Sequence, residues 1–316
     1  MPENKADIAV LGGIMADIEG NPYGQLIPGD SNPGKLSISY GGVGRNIAEN
    51  LARLSARAAF ISAAGDDFVG RSAARLLEEL GADTSHVRFL DGENTAMNLS
   101  VRNIAGDMEL AISNTDVLER ISPAFIEEAM DAMQNAGIVA LDADLTEETL
   151  AWAADRLTDI PLFLDPVSEI KAERARALIG SFHTIKPDRA EAEVLCGMQI
   201  LSEDALMAAG DWFSRQGVRR IFITMGPGGV YYKEGAEEGI LRPGPVSVVN
   251  AAGAGAAFSA AVLDGHLKKL SVRETARYGM AAAAVAMESR AAVNPAMSPA
   301  AVADKLAAMV PHIPII

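Results

Sequence analysis

Asn250-Ala-Ala-Gly-Ala-Gly-Ala-Ala-Phe258 is the stretch on which the reading of this chain turns. A strand-like apolar run holding Val246, Val248 and Val249 precedes it, and an apolar helix through Phe258, Val262 and Leu263 follows. Glycines at 253 and 255 let the backbone turn tightly and bring its N–H groups close to an anion. Strand, small-residue turn and helix start together make a phosphate cradle. What the stretch lacks is a side chain able to take a proton.

Outward from that cradle the chain alternates apolar runs with amphipathic helices. Ile8-Ala-Val-Leu11 ends in Gly12-Gly13 and reads as a buried first strand, with Asp17 just past its end. The stretch from Gly20 to Tyr40 is rich in turn residues, and Gly41-Gly-Val-Gly-Arg-Asn46 then opens a helix with Ile47, Leu51 and Leu54 on one face. A β-like run over 58–62 and a helix over 68–80 complete a β–α repeat. Runs at 95–101 and 108–112 read as strands joined by a hairpin at 103–107; with extended residues near 36–39 they form a small separate sheet. Beyond 120 come a helix (123–136), strand (138–141), helix (147–157), strands (162–164 and 183–185), helices (from 189, and 202–216) and a strand (220–224). Helices over about 254–268, 272–288 and 298–309 close the chain. Such alternation predicts an α/β fold, a mostly parallel sheet with helices on both faces.

The 316 residues suit one large α/β domain or a main domain with a small one. A formal net charge of −15 argues against nucleic acid as a partner, since Lys and Arg carry phosphate binding, and reads as solubility. An anionic substrate must then be held by backbone dipoles, a few cations or a metal. The single cysteine, Cys196, excludes an intrachain disulfide framework, fits a reducing compartment and, beside Val194 and Leu195, reads as core. No signal-peptide pattern precedes Ile8, and the run from Met280 to Met287 is too short to span a bilayer, so a soluble cytoplasmic protein is expected.

Ligands of such sheets sit beyond the carboxyl ends of the strands. Asp17, Asp142, Asp144, Asp165, Lys186-Pro-Asp188 and Thr224-Met-Gly226-Pro-Gly-Gly229 all fall there. Singly, each is as well explained as a loop or cap residue. Together with two glycine turns they favour a phosphate-handling site. The pattern is not a P-loop, and the 41–46 stretch lacks the third glycine of a dinucleotide fingerprint. Asp188 and Glu191 share a helix face; they could hold Mg²⁺ through water, or be acidic residues favoured at a helix start. The histidines at 86, 183, 266 and 312 lack metal-ligand spacing and read as structural.

Taken together, these stretches resemble the ribokinase-like (PfkB) carbohydrate kinases over nearly the whole chain. Gly41-Gly-Val-Gly-Arg-Asn-Ile-Ala-Glu-Asn-Leu-Ala-Arg-Leu54 looks like the N-terminal signature, and 250–258 corresponds to the C-terminal one, usually D-T-T-G-A-G-D-x-F. The set S-N-P-G-K (31–35), G-E-N-T (92–95), D-P-V-S (165–168), I-K-P-D-R-A-E-A-E (185–193) and M-G-P-G-G-V-Y-Y (225–232) is similar to the pseudouridine kinases within that family.

The resemblance implies one Rossmann-like kinase domain over 1–316, with a small β lid from about 18–40 and 92–115 that often mediates homodimers. It implies phosphorylation of the 5′-hydroxyl of pseudouridine by ATP with Mg²⁺. By motif position, Asp17, Gly42 and Asn46 would grip the ribose, and Ser31, Thr95 and Asn98 would approach the base. Asp188, in place of the family's Asn, and Glu191 would lie near Mg²⁺ and the phosphates. Thr224, Gly226 and Gly229 would border the ATP phosphates, and residues around 288–294, Asn294 among them, the adenine. The amides of Gly253, Ala254, Gly255 and Ala256 would form the anion hole.

Two departures stand out. The family's base, an Asp that takes the proton from the sugar hydroxyl, falls on Ala256. General-base assistance is worth roughly 10²–10⁴ in rate, so the chain is expected to be a very poor kinase that still binds its ligands. An Asp→Ala change that traps a complex and a natural pseudokinase both account for this; the otherwise intact site favours the first. Asn250 and Ala252 also replace the usual Asp and Thr, which bears on the family's monovalent-cation site.

Overall fold

The computed structural model describes residues 6–244 and 247–309. Strand β1 (Ile8–Leu11) is wholly buried and shows no polar alternation, because both of its faces are covered. The chain then leaves the main sheet for an antiparallel pair, β2 (Met15–Pro22) and β3 (Gly34–Gly41), and returns through α1 (Val43–Arg53). β4 (Ala58–Gly65), α2 (Phe68–Glu79) and β5 (Val87–Leu90) extend the main sheet, and β6 (Ala96–Arg102) and β7 (Met108–Asn114) go back to the small one. Two short helices, α3 (Pro123–Glu127) and α4 (Met130–Gln134), precede β8 (Ile138–Asp142), α5 (Glu147–Arg156), β9 (Leu162–Asp165) and α6 (Glu169–Arg176). Next come β10 (Thr184–Ile185), α7 (Arg189–Cys196), α8 (Glu203–Gln216), β11 (Arg220–Thr224), β12 (Val230–Glu234) and β13 (Glu237–Leu241). The last three helices are α9 (Ala254–Leu267), α10 (Val272–Met287) and α11 (Pro299–Ala308).

Among the described residues the main sheet has nine strands in the order β13-β12-β11-β10-β9-β8-β1-β4-β5. All neighbours from β5 to β11 are parallel, and β12 and β13 are antiparallel additions at one edge. The chain passes from β1 to β4 on one side and later to β8 on the other. The carboxyl end of β1 is therefore the topological switch point where such sheets open a crevice. Two apolar layers flank the sheet. Ile8, Val10 and Phe60 face α1, α2, α9, α10 and α11, while Ala9, Leu11 and Leu164 face α3 to α8. Helix α9 is apolar all round and buried against α1 and α10, as a helix in the middle of a layer must be.

The small sheet runs β3-β2-β6-β7. Register puts Ile38, Ile18, Leu99 and Ile112 abreast, with Leu36, Val101 and Leu110 in the next row of that face. Leu36, Ile38, Leu110 and Ile112 are exposed. Ser39, Asp17, Asn98 and Ser113 lie abreast on the opposite face. The expected hairpin at 103–107 joins β6 and β7.

Several expectations are corrected. Asp17, expected just past the end of β1, lies inside β2 of the small sheet. The helix expected over 123–136 is broken at Glu128 and Ala129. Residues 247–249 are not a strand: Val248 and Val249 are exposed, and Val246 lies outside the described residues. Helix α6 and the hairpin β12–β13 were not expected. His183 and His266 meet edge to face, 5.3 Å between ring centroids, and His183 is at the amino end of β10, away from the strand ends that carry ligands. His312 lies outside the described residues. Cys196 is buried, as expected. No helix among the described residues is long and apolar enough to cross a membrane.

Close packing sets the seat of α9. A Cβ on Gly279 of α10 would lie 2.6 Å from the Phe258 ring. Gly279→Ala is expected to destabilise the protein by ~1–3 kcal/mol through overpacking, measured by urea denaturation.

Candidate active site

The glycine turn into α9 forms without the strand expected before it. Gly253 stands before α9 with φ 80°, and a Cβ there would lie 1.7 Å from the Ala292 carbonyl oxygen, so only glycine fits. No side chain caps α9. Asn250 shapes the approach: its amide donates to the Arg290 carbonyl at 2.9 Å, and its oxygen accepts from Ala252 N–H at 3.0 Å. Ala256 is a buried methyl in the first turn.

Beneath this turn is a cation. The Lys186 ammonium lies 3.3 Å from where a Cβ on Gly255 would sit. Lys186 follows β10, is buried, and pairs at 3.0 Å with Asp165 at the end of β9; Asp165 also accepts from the Ser259 hydroxyl of α9 at 2.7 Å. Burial alone would push Lys186 down, but the carboxylates of Asp165, Glu191 and Asp188 outweigh it and keep the ammonium charged. Sequence reasoning placed Lys186 at a strand end without a role. The signal available was a lysine directly after an apolar run, where a buried charge needs partners.

Asp188 and Glu191 form a reciprocal capping box on α7: each carboxylate accepts from the other's backbone N–H at 2.8 Å. Burial pushes the Glu191 carboxyl up to about 7, against the pull of the Lys186 ammonium. A parallel bridge sets Asp188 abreast of Thr224. The turn after β11 closes by Met225 N–H to the Gly229 carbonyl at 2.8 Å. Gly226 and Gly229 take φ 54° and 96°, and a Cβ on Gly229 would lie 1.9 Å from the Leu241 carbonyl oxygen.

A second group gathers at the switch point. Gly42 precedes α1 with φ 90°, leaving room for the Gly13 carbonyl, which a Cβ would meet at 2.4 Å. Asn46 is buried on α1 and its side-chain oxygen accepts from Arg45 at 2.8 Å; Arg45 in turn pairs with Glu49. The Asp17 carboxylate fills the space over Gly41, where a Cβ would be 2.1 Å away, and accepts from Asn98 at 3.4 Å. Burial raises the Asp17 carboxyl, and the Asn98 bond opposes it. Helix α1 packs on α9, so this group and the cradle share one side of the sheet.

The other expected residues sit differently. Ser31 is exposed in the loop between β2 and β3. Thr95 is fully buried and its hydroxyl donates to Asp67 at 2.8 Å, tying the start of β6 to the cap of α2. Asn294 donates to the Val285 carbonyl at 2.6 Å and accepts from Ala296 N–H at 2.9 Å, so its amide braces the turn after α10. Among the described residues no group of His, Cys, Asp and Glu gathers that could hold a metal by itself.

A glycine turn into α9, a buried ammonium and a polar group at the switch point thus lie along one side of a parallel sheet. A profile of the pfkB family carbohydrate kinases matches residues 5–299. The chain belongs to that family. It is 33% identical over 292 residues to the pseudouridine kinase of Escherichia coli (strain K12), covering 92% of this chain and 93% of that one. It is 31% identical to the guanosine-inosine kinase of Exiguobacterium acetylicum over 287 residues, 89% of this chain and 94% of that one. Among solved structures it is similar to a carbohydrate kinase from Agrobacterium tumefaciens, with TM-score 0.83 and 26% identity over 96% and 97% of the two chains. Ribokinase of Arabidopsis thaliana, complexed with ribose and ATP, shares the fold at TM-score 0.85 and 21% identity over 96% and 99% of the two chains.

Glu191 yields a pH prediction. Because the fold raises its carboxyl, the stability it contributes is fully present below the unfolded value of 4.5 and is lost as pH rises through about 7. The stability of Glu191→Gln relative to the parent should therefore grow from pH 5 to pH 8, by up to ~3 kcal/mol. Chemical denaturation at both pH values checks this; a constant difference would refute it.

Proposed function

We propose that the site is built to transfer a phosphoryl group from ATP to the 5′-hydroxyl of pseudouridine, and that Ala256 leaves it binding both ligands with very little turnover. The observation that carries the reading is a complete cradle over a charged Lys186, with a methyl where a proton acceptor is needed. Phosphoryl transfer depends mainly on positioning and charge stabilisation. The amides of Gly253, Ala254, Gly255 and Ala256 and the Lys186 ammonium supply the charge stabilisation. Thr224, Gly226 and Gly229 border the ATP phosphates, and the turn braced by Asn294 borders the adenine.

Asp17, Gly42 and Asn46 hold the ribose at the switch point. Asn98, bonded to Asp17, faces the same side of the small sheet and reaches toward the base, with Ser31 and Thr95 in flanking segments. The residues fit Mg²⁺ as a partner of bound phosphate rather than as a protein-only site, because Asp188 and Glu191 are engaged in the capping box. Bound there, the ion would neutralise phosphate charge. Likeness to the Escherichia coli pseudouridine kinase over nearly the full length of both chains supports the substrate, and the guanosine-inosine kinase likeness supports a nucleoside in general.

The small sheet acts as a lid over the sugar and excludes water that would compete as acceptor. Its exposed apolar rows suit a homodimer through the lid.

The parent should bind pseudouridine and ATP by calorimetry, and Ala256→Asp should raise turnover by roughly 10²–10⁴. Pseudouridine should be preferred to uridine, ribose and fructose; preference for a free sugar would sink the pseudouridine assignment. Binding without restored turnover would instead mark a non-catalytic nucleoside-binding protein. For the dimer, Ile38→Glu with Ile112→Glu is expected to halve the mass seen by light scattering, and an unchanged mass would count against the interface.

A further inference from the structure

Asp142 closes β8 at the switch point, beside the turn that follows β1, and the reading above gives it no part. It is 1% exposed. One oxygen, Oδ2, accepts from Gly13 N–H at 3.0 Å and from Gly44 N–H at 2.7 Å; the other, Oδ1, accepts from Asp144 N–H at 3.1 Å. Lys171, whose charge bears on it, pairs with Asp144 instead. Backbone amides are thus what compensates this carboxylate for leaving water.

The surrounding backbone is shaped to it. A Cβ on Gly12 would lie 2.3 Å from Oδ2, and one on Gly44 would lie 2.9 Å from it. Gly13 leads within a few residues to Asp17 on β2, and Gly44 is two residues before Asn46 on α1. The same two segments interlock directly, with Arg45 N–H donating to the Gly13 carbonyl at 3.1 Å.

We propose that Asp142 is a positioning residue for the sugar: one buried carboxylate that locks the β1 turn, the start of α1 and Asp144 together, so that Asp17 and Asn46 meet the ligand from fixed places. This rests on the reading that Asp17 and Asn46 hold the ribose. With its oxygens committed to backbone N–H groups, Asp142 acts through those residues and not on the substrate. Burial and the Asp144 carboxylate raise its carboxyl well above the usual range, and the Gly13 and Gly44 amides and the Lys171 ammonium pull the other way.

Asp142→Asn keeps the size but sets an NH₂ against at least one of the three N–H donors. Losing one such bond should weaken pseudouridine binding about tenfold. ATP affinity, read by the same calorimetry, should stay within about twofold, because the hydrogen bonds of the Asp142 carboxylate go to Gly13, Gly44 and Asp144 and not to the α9 turn or the turn after β11. Gly44→Ala, which displaces the same carboxylate from the other side, should show the same split and serves if Asp142→Asn does not fold. Amide exchange in the free protein should quicken at Gly13, Gly44 or Asp144. Unchanged pseudouridine affinity, or equal loss for both ligands, overturns the proposal. If the parent binds no pseudouridine, the proposed function falls on its own, and amide exchange alone decides whether Asp142 holds the two segments; unchanged protection there refutes it.

Discussion

The ion pair between Lys186 and Asp165, with the Ser259 hydroxyl on the same carboxylate, is the constraint that the site depends on. Both charges are almost wholly removed from water. A buried pair rarely adds net stability, but losing one partner strands the other at a cost of several kcal/mol. Its value here is geometric. Asp165 and Lys186 follow one another across neighbouring parallel strands, so the sheet fixes their spacing. Ser259 brings α9 to the same point, and the first turn of that helix comes to rest over the ammonium.

Two other devices complete the frame by the same logic. Gly253 turns into α9 through a backbone conformation and a contact that no other residue tolerates. Asn250 fixes the approach by bonding to Arg290 and Ala252. At the far end of the crevice, glycines at 12, 41 and 44 let two carboxylates, Asp17 and Asp142, approach the main chain. The crevice is built from places where a side chain is missing as much as from those where one is present.

This explains which parts were legible in the sequence. The β–α alternation could be read because strands covered on both faces, such as Ile8–Leu11 and Leu162–Asp165, are uninterrupted apolar runs. The last two helices announce themselves by Ser271 with Glu274, and by Ser298 before Pro299. β2 could not be read. Met-Ala-Asp-Ile-Glu-Gly-Asn-Pro has mixed polarity, and its partners in β3 and β6 are supplied by tertiary structure. Helix α6 is too polar to show a stripe. In the site, residue types and strand-end positions were visible, but which polar groups the fold itself consumes was not. Thr95, Asn294 and the Asp188–Glu191 pair all spend hydrogen bonds on structure. Asp142 is the reverse case: two of its partners are main-chain N–H groups of glycines far away in sequence, and a side-chain pattern carries no trace of them.

Position 256 can then be understood apart from the frame around it. Everything that shapes the cradle lies elsewhere: the turn at Gly253, the loop held by Asn250, the ammonium of Lys186, the hydroxyl of Ser259. The Ala256 side chain makes none of those hydrogen bonds, and its methyl packs into the apolar layer beside Phe258. A carboxylate here would add a proton acceptor without being needed to hold the helix, and a methyl in its place leaves the first-turn amides of α9 where they are. The shape of this turn therefore does not depend on the side chain at 256.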